Sequence, residues 1–336
     1  MSVVIYASNI HQGGGKTLLC GLLDSLGPRE TIAYVDERLP YAAANEKLRI
    51  VRVGANIAGR VAAELALMKR LDSKDILICF GNLPPLLVRH PQTVLFLQNR
   101  FLLGGGDLSA FPIRARVRIM IERFWLKRRL PFVSEILVQT RTMAEDLVRF
   151  TGRTARICPF VPVMPAVDAS EAPEHDFLYV ASGEPHKNHR NLVAAWQILA
   201  DDNVRPSLAL TLDISKDQAL WNDLNEVIKK DRLNISNHTD QSLVRRLYLR
   251  SGALIYPATF ESLGLPLLEA REFNMPILAS ELDFVRDSLD PEQTFDPSSA
   301  LSIARAVQRF LGRGQKRPRI VTPETFLEIA CACVAK

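Results

Sequence analysis

Short, continuously apolar runs alternate with longer stretches whose apolar positions recur every three to four residues, and this alternation extends along most of the chain. In the first half the runs at 3–6, 32–35, 50–53, 76–80, 94–97 and 136–139 read as strands. Between them, 17–26, 58–71, 113–128 and 142–150 read as helices. Strands with no polar alternation are buried on both faces, so the pattern points to a parallel sheet covered by helices on each side. The alternation pauses between Cys158 and His175, where Pro159, Pro162, Pro165 and Pro173 mix with Ala, Ser and acidic residues in a linker composition. It restarts with strands at 177–181, 208–212, 254–257 and 276–279 and helices at 188–200, 218–230, 241–250, 266–273 and 300–311. The expected fold class is therefore α/β: two Rossmann-like, doubly wound parallel-sheet domains, 1–162 and 163–320, with an interdomain cleft facing the carboxyl ends of both sheets. A further C-terminal helix, 321–336, is expected to pack back on the first domain.

Composition narrows the class without changing this picture. A chain of 336 residues with 47 % hydrophobic and 24 % charged residues has the length and core content of two globular domains. There is no short-period repeat, no basic leader before the first apolar run and no apolar stretch long enough for a bilayer, so the chain reads as soluble, neither secreted nor transmembrane. The five cysteines, Cys20, Cys79, Cys158, Cys331 and Cys333, have no zinc spacing and read as buried free thiols in a reducing cytosol. Net charge is +5, but unevenly placed: about +10 up to Pro162 and about −5 beyond it. Much of the excess lies between Arg114 and Arg129, where Arg114, Arg116, Arg118, Arg123, Lys127, Arg128 and Arg129 face one acid, Glu122. Ile113, Val117, Met120, Phe124 and Trp125 are interleaved with them. As a helix this is either a basic apolar surface for anionic lipid headgroups or an ordinary core face with a solvated basic side. Nucleic acid is not expected, because no recognition motif accompanies the charge.

Three segments carry chemistry. In Pro257-Ala-Thr-Phe-Glu261-Ser-Leu-Gly264-Leu265-Pro266-Leu-Leu-Glu269-Ala270, a strand gives way to a loop and then to a helix that Pro266 can open. Gly264 and Leu265 then sit at a helix N-terminus, where free amides and the dipole suit a diphosphate. Glu261 lies in the loop and Glu269 is expected in the helix's first turn, both over one opening. In Tyr179-Val-Ala-Ser182-Gly183-Glu-Pro-His186-Lys187-Asn188 a strand leaves through a glycine toward a helix, and Lys187 is placed to meet a leaving diphosphate. In Ala7-Ser-Asn-Ile10-His11-Gln-Gly13-Gly14-Gly15-Lys16-Thr17 glycines follow the first strand. Ile10 stands where a P-loop needs its first glycine, and that reading leaves Glu261 and Glu269 unexplained.

The two glutamates separated by seven residues, with Gly264-Leu265-Pro266 between them, resemble the retaining GT-B glycosyltransferases of the glycosyl transferases group 1 family. The resemblance implies a two-domain GT-B hexosyltransferase that passes a sugar from a nucleotide diphosphate to a glycan or lipid-linked acceptor with retention of configuration. It assigns the donor sugar to Glu261, the ribose to Glu269, and the phosphates to the Gly264 and Leu265 amides and to Lys187 on its Gly183 loop. Gly14 and Gly15 would approach the donor, and the segment 234–238, ending on His238, lies where the family reads the base. His11 and Arg100 are candidates near the acceptor or sugar. Many members carry an arginine five positions before the lysine; here Ser182 stands there, leaving His186 and Arg190 as candidates for the second cation. No DxD and no carboxylate cluster is present, so no metal or other cofactor is expected. The resemblance also points to a UDP- or GDP-sugar, to bacterial surface polysaccharide or lipopolysaccharide synthesis, and to the cytoplasm at the inner face of the membrane. A nucleotide-dependent ATPase switch and a non-catalytic sugar-nucleotide binder are the alternatives.

Overall fold

The computed structural model describes residues 2–27, 30–43, 46–162, 172–240 and 243–313. The expected helix at 321–336, the linker at 163–171, and Cys331 and Cys333 lie outside these residues. The strands are β1 (Val3–Ala7), β2 (Thr31–Asp36), β3 (Leu48–Val53), β4 (Ile76–Cys79), β5 (Thr93–Leu97), β6 (Glu135–Val138), β7 (Arg156–Ile157), β8 (His175–Tyr179), β9 (Leu208–Leu210), β10 (Ile235–Asn237), β11 (Ser251–Tyr256), β12 (Ile277–Ser280) and β13 (Gln293–Phe295). The helices are α1 (Gly13–Asp24), α2 (Ile57–Arg70), α3 (Ile113–Arg129), α4 (Arg141–Thr151), α5 (His189–Asp201), α6 (Ile214–Lys230), α7 (Val244–Leu249), α8 (Leu265–Glu272), α9 (Asp283–Arg286) and α10 (Ala300–Phe310).

All pairings are parallel, and the strands form one sheet ordered β3-β2-β1-β4-β5-β6-β7 and another ordered β10-β9-β8-β11-β12-β13. Each sheet is wound outward from its first strand, then reversed, so β1 beside β4 and β8 beside β11 are the points where neighbouring loops diverge and leave a crevice. Burial on both faces follows residue by residue. In β1, Val4 and Tyr6 join one apolar cluster while Ile5 and Ala7 join another on the opposite face. The second sheet is covered by Trp196 of α5, Leu267 of α8 and Val307 of α10, all within a single cluster.

Three sequence expectations need correction. Helix α1 begins at Gly13, so Gly13 to Gly15 form its first turn rather than a loop ahead of it. Cys158 is exposed and Cys20 half-buried; Cys79 alone of the three described cysteines is a buried thiol. The short strands β10 and β13 and the helix α9 lie where no element was expected.

Helix α3 settles which way its apolar stripe faces. Ile119 and Leu126 point inward, while Ile113 is 74 % exposed, Met120 63 % and Phe124 69 %, with Val117 and Ile121 also exposed. At 3.6 residues per turn these five span an arc of about 100° on the outer side. Not all of the basic residues share that surface. Arg116 donates to the carbonyl oxygens of Phe111 (2.8 Å) and Ser109 (2.5 Å), Arg123 to Phe101 O (2.9 Å), and the buried Arg129 to Val88 O. Arg114, Arg118, Lys127 and Arg128 remain on the exposed side.

Candidate active site

The second sheet's crevice gathers residues distant in sequence. The loop leaving β8 tightens into a single 3-10 turn, Pro185–Lys187, and Asn188 takes a left-handed backbone (φ 64°) before α5 opens at His189. Lys187 therefore lies just ahead of the helix. The loop leaving β11 carries Glu261. Because β8 and β11 are adjacent, the Lys187 ammonium reaches Oε1 of Glu261, 74 residues away. The Tyr256 hydroxyl donates to the same oxygen at 3.1 Å, and His186 Nε2 lies 3.9 Å from it. All three groups address Oε1, and among the described residues no hydrogen bond goes to Oε2, leaving one oxygen available to a hydroxyl ligand. The side chains of Lys187 and Glu261 are only 15 % and 12 % exposed, so this ion pair is weakly screened and its charges act strongly on what enters the crevice. Burial and the nearby Glu261 charge push the Tyr256 hydroxyl well above its ordinary pKa, keeping it a donor.

Beside this pair, Gly264 caps α8 with φ 70°, a conformation that costs a side-chain residue but not glycine. A Cβ there would also meet the Leu267 side chain at 2.9 Å. Leu265 is the first helical residue, so its amide lies at the positive end of α8, as expected. Glu269 is the fifth residue of α8 and so lies in its second turn, a correction to the expected first. Its Oε2 accepts from the Tyr248 hydroxyl at 2.8 Å, and burial raises its pKa. The Gly183 amide is engaged by Asp217 Oδ2 at 3.1 Å, where α6 kinks, and a Cβ on Gly183 would come 2.4 Å from that carboxyl carbon. His238 follows β10, its amide bonded to Leu210 O (2.8 Å) and its Nε2 3.1 Å from Ser236 Oγ. Arg190 pairs with Asp223 on the surface and is not brought to the cluster, whereas His186 is.

The first sheet contributes the opposite wall. Gly14 faces Leu265, where a Cβ would lie 2.9 Å from Leu265 Cδ1, and Gly15 is held against Ile10 and Gln98. Among the described residues His11 Nδ1 is buried without a hydrogen-bond partner, 3.8 Å from Asp36, whose carboxylate is held by Arg38 at 2.7 and 2.8 Å. Arg100 is committed to other partners: its Nε donates to Asp146 at 2.7 Å and its guanidinium covers the Phe260 ring at 4.5 Å. Thr140 Oγ1 donates to Ser262 O at 3.1 Å and the Thr142 amide to Asp287 Oδ2 at 2.7 Å, so the two halves touch along the cleft. Sequence reasoning missed Tyr256, Tyr248 and Asp217. Tyr256 sits in an apolar run and Tyr248 among the apolar positions of a basic helix, so both signal only core, and Asp217 reads as an ordinary surface acid near a helix start. Among the described residues no group of three His, Cys, Asp or Glu is placed to hold a metal ion.

The family model for glycosyl transferases group 1 matches residues 165–322, which include both glutamates and Lys187. The chain is 26 % identical over 137 residues to O-antigen chain mannosyltransferase B of Escherichia coli, covering 40 % of this chain and 36 % of that protein. It is 21 % identical over 217 residues to O-antigen chain mannosyltransferase RfbU of Salmonella typhimurium, covering 64 % and 61 %. In both cases it spans less than two thirds of the relative's length. Among solved structures, Anabaena Alr3699/HepE in complex with UDP and glucose superposes with a TM-score of 0.70 at 11 % identity, over 93 % of this chain and 90 % of that one. WaaG, a glycosyltransferase involved in lipopolysaccharide biosynthesis, gives a TM-score of 0.62 at 15 % identity, over 92 % and 90 %. Residues 165–322 of this chain match the family model of the glycosyl transferases group 1, and its two sheets have the GT-B fold.

Proposed function

We propose that this protein is a retaining, metal-independent hexosyltransferase that moves a sugar from a nucleotide diphosphate, UDP or GDP, to a glycan or lipid-linked acceptor in bacterial surface polysaccharide or lipopolysaccharide synthesis. The observation that carries the reading is the convergence of Lys187, Glu261 and the α8 N-terminus at the crevice between β8 and β11. An ammonium and a helix N-terminus stabilise charge that grows on a departing diphosphate, and the unengaged Oε2 of Glu261 takes sugar hydroxyls. Glu269, from the second turn of α8, takes the ribose. The attacking hydroxyl enters on the face the leaving phosphate vacates, and that phosphate helps remove its proton.

The same reading gives α3 a role at the inner face of the membrane. Its outward arc of Ile113, Val117, Met120, Ile121 and Phe124 is flanked by Arg114, Arg118, Lys127 and Arg128, the arrangement of a helix lying in an anionic lipid interface. On α2, Ile57, Val61, Leu65 and Met68 are exposed at helical spacing, and on the loop before β5 so are Leu86 and Leu87. That loop is fixed from inside, since Glu64, almost fully buried, accepts from the Leu86 amide at 3.0 Å and the Leu87 amide at 2.6 Å. Ile113, at one end of the α3 arc, is two residues from Phe111, whose ring stacks on His186 at 6.1 Å. A lipid-borne acceptor lying along α3 would thus present its headgroup beside Glu261.

Diphosphate release from UDP- and GDP-hexoses, followed with and without EDTA, tests the enzyme reading. Release from one donor that persists in EDTA is expected. No release from any donor would count against transfer, and loss in EDTA with rescue by magnesium against metal independence.

A further inference from the structure

His186 is held by both halves of the molecule at once. Its backbone belongs to the second half, where its carbonyl accepts from the Thr259 amide at 2.8 Å and the Thr259 hydroxyl at 3.2 Å. Its ring is covered by the first half, edge-on to Phe101 at 5.4 Å and stacked on Phe111 at 6.1 Å between centroids. Phe260, next to Glu261, joins the same cluster 4.6 Å from Phe101, under the Arg100 guanidinium. The loop beyond Phe101 approaches this cluster only because it is glycine: a Cβ on Gly105 would lie 3.2 Å from the Phe260 ring, and one on Gly106 3.1 Å. The imidazole is thereby largely covered, its side chain 15 % exposed, with Nε2 3.9 Å from Glu261 Oε1, while Nδ1 is buried with no hydrogen-bond partner among the described residues. The charged groups facing it are Glu261, Lys187 and Glu184; the first half presents only the rings of Phe101 and Phe111, with Arg100 committed to Asp146.

Glu261 Oε1 already accepts from Lys187 and Tyr256, so Lys187 has two claimants once a diphosphate is present. The phosphates carry more charge than one carboxylate and draw the ammonium toward them. The carboxylate oxygen left behind keeps the Tyr256 hydroxyl but loses its stronger, charged donor, and a second donor is needed to hold it as before. We propose that His186 is that donor: a positioning residue that takes over Oε1 of Glu261 when Lys187 moves to the donor phosphates, and that does so only while Phe101 and Phe111 close over its ring. This rests on the glycosyltransferase reading for the movement of Lys187, but not for the state of the ring. The ring must be neutral with its proton on Nε2, and burial lowers its pKa in that sense.

Kinetics and nuclear magnetic resonance test it separately. His186→Phe keeps an aromatic ring in the cluster but has no N–H, and is expected to lower kcat roughly 10- to 100-fold, the range for a lost hydrogen bond to a charged group. UDP or GDP affinity should stay within about twofold. His186→Gln, which keeps an N–H at similar reach, should recover most of the rate. Phe111→Ala should slow the wild type yet add little to His186→Phe, because both act through one ring. A His186→Phe enzyme at the wild-type rate, or fully additive effects of the two substitutions, would overturn the proposal. If no donor is turned over at all, nitrogen-15 spectra of the histidines still decide: the inference requires a neutral His186 protonated on Nε2 at pH 7, and an imidazolium or an Nδ1–H form refutes it.

Discussion

Lys187 shows how a residue's role depends on contacts that its sequence neighbours do not reveal. Just ahead of a helix N-terminus a lysine would be slightly unfavourable without an anion; the structure gives it the Glu261 carboxylate. The motif was legible because Gly264-Leu265-Pro266 and the glutamate spacing are specific. The ion pair was not, since it depends on β8 and β11 being neighbours across 74 residues. If Lys187 moves to the phosphate in the transition state, Lys187→Ala should lower turnover on the order of 10²–10³-fold at saturating donor, and Lys187→Arg should restore part of it. Near-normal turnover in Lys187→Ala would shift the role to His186 or to the α8 amides. A second residue prediction concerns His189, buried at the start of α5 with neither ring nitrogen hydrogen-bonded among the described residues. Burial lowers its pKa from 6.5 to about 3. In that window the unfolded chain binds the proton and the folded one does not, so stability is lost as pH falls from 6.5 toward 3. Thermal unfolding at pH 7.5 and 4.5 should show a smaller fall in Tm for His189→Phe than for the wild type; equal falls would remove His189 as a cause.

At the scale of elements, periodicity located the long helices to within a few residues but could not say which face of α3 is inside. An apolar stripe and a basic stripe on one helix are compatible with either orientation; the choice was made by Ile119 and Leu126, which pack inward, and by the arginines that bind loop carbonyls instead of solvent. Strands of three residues, such as β10 and β13, were missed because so short a run carries no period and is held by pairing with its neighbours. The first turn of α1 was missed because glycine is a poor helix former, and tertiary contact of Gly14 with Leu265 overrides that preference. If α3 lies in a lipid interface, Phe124→Asp with Met120→Asp should strongly reduce co-sedimentation with vesicles containing anionic phospholipid while leaving diphosphate release intact. Neutral phosphatidylcholine vesicles should bind poorly even the wild type, since each basic residue near an anionic surface contributes about 1 kcal/mol. Unchanged binding of the double variant to anionic vesicles would assign α3 another partner.

For the whole molecule, the alternation of strands and helices gave both parallel sheets, because strands buried on two faces leave continuous apolar runs that no half-exposed sheet would need. What it could not give is how the two sheets face each other: Gly14 against Leu265, Thr140 on Ser262, Thr142 on Asp287, and Phe101 with Phe111 around His186 all join residues more than seventy positions apart. These contacts set one wall of the crevice against the other, and the account stands on a nucleotide diphosphate binding there. Calorimetric titration of UDP, GDP, dTDP and CDP into the wild type and Glu269→Ala measures this without any acceptor. The account predicts that one diphosphate binds at a single site and that Glu269→Ala weakens it by roughly 1.5–3 kcal/mol, the worth of hydrogen bonds to a charged acceptor. Absence of binding by all four, or an unchanged affinity in Glu269→Ala, would contradict it.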